Sequence, residues 1–168
     1  MKEMVLPLNQ IMERKLSLLY ELYKHTNQEY IYANEEGIGL LGNILKEKQE
    51  LMSEIDHLDR KFLVGFSDLK QELGVSSLDD LDGATGENFA SLKLNAAEIM
   101  SVLEKIDAMD KEVQQKINKL RDDVTQDLAR IKKQRQANKV YAEESAKNVM
   151  RDFGVYDVSK SSSFDTKK

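Results

Sequence analysis

Between Gly86 and Gly154 the chain contains neither glycine nor proline. Nothing in that stretch interrupts a helix, and its apolar residues fall where a helix needs them. Ile99, Val102, Leu103, Ile106, Met109, Val113, Ile117, Leu120, Val124, Leu128 and Ile131 follow one another at steps of three and four, which places them on one helix face. The intervening positions are mostly Lys, Glu, Asp, Gln and Arg, as a solvated opposite face requires. At about 1.5 Å per residue, some 60 residues make a helix of roughly 90 Å. One apolar stripe of that length has to be covered by the rest of the chain. Any part left uncovered is the natural place for a partner.

The remainder of the chain predicts two more helices. Pro7 suits a first helical turn, where its missing N–H costs nothing. Leu8, Ile11, Met12, Lys15 (through its stem), Leu18, Leu19, Leu22, Tyr23 and Thr26 then step at helical spacing, predicting a helix over 7–33. Asn34 before Glu35 and Glu36 reads as a cap, with acid in the first turn of a second helix over 36–73. Its stripe is Leu41, Ile44, Leu45, Lys48 (stem), Leu51, Met52, Ile55, Leu58, Phe62, Phe66 and Leu69, and Gly74 ends it. Ser76 with Asp79 predicts one short helical turn, and residues 82–87 a loop before the third helix, 87–151.

Short connections make neighbouring helices antiparallel. The fold class expected is therefore all-α: an antiparallel bundle or hairpin of three helices, the third very long, forming one domain over 1–158. Residues 159–168 form a polar tail expected to be mobile. On helix lengths, the second helix should cover the third to about residue 128.

Composition narrows the functions open to such a fold. With 33% charged residues, one proline, no tryptophan and no cysteine, the chain excludes disulfides, thiolate nucleophiles and Cys-ligated zinc. A net charge of −5 gives no global support to nucleic-acid binding. No apolar run approaches a membrane span or a signal-peptide core, so a cytoplasmic protein with no membrane insertion is expected.

No motif carries catalysis. Gly37-Ile38-Gly39-Leu40-Leu41-Gly42 matches G-x-G-x-x-G, but a dinucleotide site needs a strand before it and a parallel sheet around it. Asp79, Asp80, Asp82 and Gly83 suggest a calcium loop, yet the alignment puts Leu78 and Phe89 where oxygen ligands belong. His25 and His57 stand alone on different helices, and adjacent pairs such as Asp122-Asp123 and Glu143-Glu144 point to different sides. No enzyme activity, catalytic residue, cofactor or metal is expected. Arg130, Lys132, Lys133, Arg135 and Lys139 make a local basic cluster without interleaved aromatics, read as a solvated stretch before a nucleic-acid site.

After Ile131 the regular apolar spacing stops, and a looser set returns with Val140, Tyr141, Val149, Met150, Phe153, Val155 and Tyr156. If the hairpin geometry holds, these have no partner left within the chain. They fold back on the bundle, close a homodimer, or dock an amphipathic segment of another protein. The candidate partner-binding residues are Ile131, Val140, Tyr141, Val149, Met150, Phe153 and Tyr156.

A family resemblance sharpens this. The stretch from Ile44-Leu45-Lys46-Glu47-Lys48-Gln49-Glu50-Leu51-Met52 through Ile55-Asp56-His57-Leu58-Asp59-Arg60 resembles the "E-Q-x-L, I-x-x-L-x-x-R" segment of the FlgN-like flagellar export chaperones. Leu73-Gly74 with Ser77-Leu78-Asp79-Asp80-Leu81 is similar to that family's LG and "T-L-x-x-L" segment, and Ser162 to Lys168 to its Gram-positive tails. The resemblance implies a non-enzymatic chaperone that binds the C-terminal helical segments of hook-filament junction proteins and delivers them to the flagellar export gate. Its own C-terminal region would take part. The alternative from composition is a dimeric coiled-coil adaptor without a secretion role.

Overall fold

A computed structural model describes residues 2–74, 76 and 87–152. Among these residues there are three helices and no strand: α1 (Lys2–Tyr32), α2 (Ile38–Leu73) and α3 (Glu87–Asp152). The fold is an all-α helical bundle with a third helix of 66 residues. The turn expected over 77–81, the loop over 82–86 and the tail over 159–168 lie outside the described residues. By its contacts the chain divides into two units, 1–121 and 122–168.

In the first unit, side-chain bonds fix the direction of each helix. Arg14 reaches Glu54, Lys15 reaches Asp59 and Lys48 reaches Glu29, so α1 and α2 are antiparallel. Asn9 donates to the Asn88 carbonyl, Tyr20 to Glu98 and Lys116 to the Tyr30 carbonyl, so α1 and α3 run parallel. Lys48 also binds Asp110, which sets α3 antiparallel to α2. The core lies between the three. Leu8, Leu18 and Leu19 of α1, Leu69 of α2 and Leu92 and Val102 of α3 are all but fully buried. Each such leucine contributes about 1.5–3 kcal/mol by leaving water.

The helix ends follow local chemistry. Gly74 adopts φ 67° and its N–H returns to the Lys70 carbonyl, closing α2 with a left-handed cap. Asn34 closes the turn between α1 and α2, where its Oδ1 accepts from the Gly37 N–H at 2.7 Å. α2 then begins at Ile38, after Gly37. A Cβ on Gly37 would stand 2.4 Å from the Tyr32 carbonyl oxygen, so only glycine fits this turn.

Three sequence expectations need correction. α2 starts at Ile38 rather than at 36, with Gly37 at its N-cap, so Glu35 and Glu36 fall before it and its first turn holds no acid. α1 starts at Lys2 rather than at 7, with Pro7 inside the helix. So near the start, the missing N–H of Pro7 leaves one early carbonyl without its bond, and the complete burial of Val5 holds the extra turn in place. The cover of α3 also ends sooner than residue 128. Val113 is its last buried residue and Leu120 its last half-buried apolar one. The Lys48–Asp110 bond gives the reason. From Lys48 back to Ile38 is about ten residues, roughly 15 Å, and the same rise carries α3 from Asp110 only to Leu120.

Candidate partner-binding surface

In the second unit, every described residue from Asp122 to Asp152 is exposed except the half-buried Asp127. The sequence-predicted residues on this segment, Ile131, Val140, Tyr141, Val149 and Met150, are between 43% and 69% exposed. Phe153 and Tyr156 lie outside the described residues.

Helix geometry sorts the five. At 3.6 residues per turn, Val149 falls in line with Ile131, whereas Val140 is turned away by about 180°. Tyr141 and Met150 stand on opposite flanks, each about 80–100° from that line. One partner helix cannot touch all five. The coherent face is instead Val124, Leu128, Ile131, Ala142, Ala146 and Val149, all within about 40° of a common line. Val124 is 39% exposed and Leu128 62%. Both were legible as part of the long stripe, but the sequence reading assigned them to the covered core. Arg135 and Asn138 interrupt the same line at its middle.

The five cations between Arg130 and Lys139 are distributed with equal order. Arg130 is bound by Asp127 at 2.9 Å, one turn earlier. Lys132 and Lys139 lie on one flank of the apolar line and Arg135 within it, while Lys133 is on the far side. No acid among the described residues pairs with any of these four.

The first unit holds the other features that could carry chemistry. Lys48, Glu29 and Asp110 form a triad drawn from all three helices, with Lys48 Nζ 2.7 Å from Glu29 and 2.9 Å from Asp110. Burial alone would lower the Lys48 pKa, but the bonds to Glu29 and Asp110 and their negative charges outweigh it and hold the pKa above its ordinary 10.5. The sequence reading had placed only the Lys48 stem in the core. Further along, Lys116 sits 4.4 Å over the Tyr30 ring and donates to its carbonyl at 2.6 Å. Ile11, Met12, Phe62, Ala96 and Met100 line an apolar groove of about 260 Å³ with the Lys15–Asp59 pair beside it.

Tyr30-Ile31-Tyr32 is the last turn of α1, not a strand, and Gly39 and Gly42 lie in the opening turns of α2. His25 Nδ1 lies 3.3 Å from Glu47. Among the described residues no cluster of His, Asp or Glu could hold a metal, and no helix is long and apolar enough to cross a membrane. The calcium-loop positions before Glu87 lie outside the described residues. Compared with protein-family models, curated proteins and solved structures, the chain matches none of them.

Proposed function

We propose that this protein is a cytoplasmic export chaperone of the FlgN type, holding the C-terminal helical segments of hook-filament junction proteins and delivering them to the flagellar export gate. One observation carries the reading: the apolar line of Val124, Leu128, Ile131 and Val149 is exposed on a single helix face. Apolar residues at i, i+4 and i+7 are the pattern by which one amphipathic helix receives another. A client segment lying there would bury its own self-assembly surface until secretion. The sequence resemblance supplies the kind of client.

Calorimetric titration with peptides from the C-termini of hook-filament junction proteins tests this. Saturable one-to-one binding with a negative heat-capacity change is the expected result. A folded, helical protein that gives no heat with any of these peptides is not such a chaperone.

A second reading, the dimeric coiled-coil adaptor, has its own observation. Val124, Ile131 and Asn138 recur at intervals of seven, and β-branched residues with one asparagine at such positions favour paired helices. Light scattering separates the two. A dimer that persists on dilution and is lost in Val124→Ala/Ile131→Ala supports the adaptor.

A further inference from the structure

We infer that the helix docked on residues 122–152 carries carboxylates along one flank only. This rests on reading the apolar face as a dock for a helical segment, and adds the charge that segment must bear. Between Arg130 and Lys139 the chain has five cations and no anion, within a protein of net charge −5. Asp127 already occupies Arg130. Four remain: Lys133 on the far side, and Lys132, Arg135 and Lys139 on the apolar face or on one border of it.

The opposite border, Asp127, Gln134 and Tyr141, offers no free cation. Between residues 130 and 139 the receiving surface therefore carries Arg135 at its centre and Lys132 and Lys139 on one side, with Glu143 following on that side, and is neutral to acidic on the other. Seven residues separate Lys132 from Lys139, about 10.5 Å along the axis, so matching carboxylates sit one heptad apart on the partner. Complementarity of this kind fixes orientation and speeds encounter, and it excludes helices whose flanks are basic. A nucleic acid or an anionic membrane would also meet the cations. Neither would use Lys132, Arg135 and Lys139 in preference to Lys133, which has equal charge on the far side.

The test uses the full chain and two labelled amphipathic peptides about three heptads long, each with the same leucine ridge. One carries glutamates on a single flank, the other lysines at those positions. Fluorescence anisotropy should show the glutamate peptide binding at least about tenfold more tightly, with an advantage that shrinks as salt rises. K132E/R135E/K139E should reverse the order of the two peptides, while K133E leaves it unchanged. Circular dichroism should show equal helicity in all variants, since the altered residues are exposed and both kinds of side chain are good helix formers.

Equal affinity for the two peptides overturns the inference. So does an effect of K133E as large per charge as that of the triple variant, or tighter binding to phosphatidylglycerol vesicles or duplex DNA than to the glutamate peptide. The hook-filament junction peptides form a separate arm. If they bind but the triple reversal leaves their affinity unchanged, the chaperone reading stands and the charge assignment falls. If they do not bind while the glutamate peptide shows the full pattern, the charge assignment stands and the chaperone reading falls.

Discussion

Lys48 is the residue on which the bundle's alignment turns. Its ammonium meets carboxylates from both other helices, and the Glu29 side chain it holds is almost wholly buried. Replacing it by Lys48→Met should cost about 3–5 kcal/mol in urea unfolding, because Glu29 would keep a charge with nothing opposite. Glu29→Leu/Lys48→Met should recover most of that loss, since apolar groups of similar size need no partner there. The pH dependence has a definite sign. The Lys48 pKa is raised above 10.5 in the folded chain, so its stabilisation is complete below that pH. It disappears as pH climbs through the folded value. The stability difference between wild type and Lys48→Met should therefore narrow in strongly alkaline buffer. A gap independent of pH would mean the ammonium is not what stabilises the site.

At the scale of elements, α3 has two regimes with different sensitivities. Leu92 is fully buried, and Leu92→Ala should destabilise by about 2–5 kcal/mol through lost burial and a cavity. Val124, Leu128 and Ile131 are exposed, and replacing all three by alanine should change unfolding by no more than about 0.5 kcal/mol per site while removing partner binding. If that triple variant unfolds, the face is core and the docking assignment is wrong. The α1–α2 junction makes a second contrast. Gly37→Ala collides with the Tyr32 backbone and should destabilise, whereas a Cβ on Gly42 meets nothing within 4 Å. Gly42→Ala should therefore stabilise α2 by about 0.5–1 kcal/mol.

For the molecule as a whole, the three helices were legible because apolar spacing and the Gly74 stop agreed, while the Asn34 cap was misplaced, since α2 starts after Gly37 with no acid in its first turn. The extent of cover on α3 was not, since it depends on which residue of α2 lies level with which of α3. Helix lengths do not determine that, and only the Lys48–Asp110 contact fixes it. The exposed apolar face of α3 was half legible. Helix lengths and the break in apolar spacing after Ile131 flagged the uncovered end, but grouping Val140 with Ile131 ignored that nine residues of helix turn a side chain half-way round. The buried Asn9 and Glu29 were missed because a polar residue in a stripe gives no sign of burial until its partner is known.

The early end of cover on α3 has a consequence for hydrogen exchange. Amides around Leu92 and Val102 open only when the packed helices come apart, so their protons should exchange at the rate of global unfolding. From residue 128 to Asp152 every residue is exposed, so the amides there are shielded mainly by their own helical turns. Most helical stability in proteins comes from packing, so these protons should exchange orders of magnitude faster, through local fraying. Nearly half of the longest helix is then conditional secondary structure, and a partner bound along it would slow that exchange.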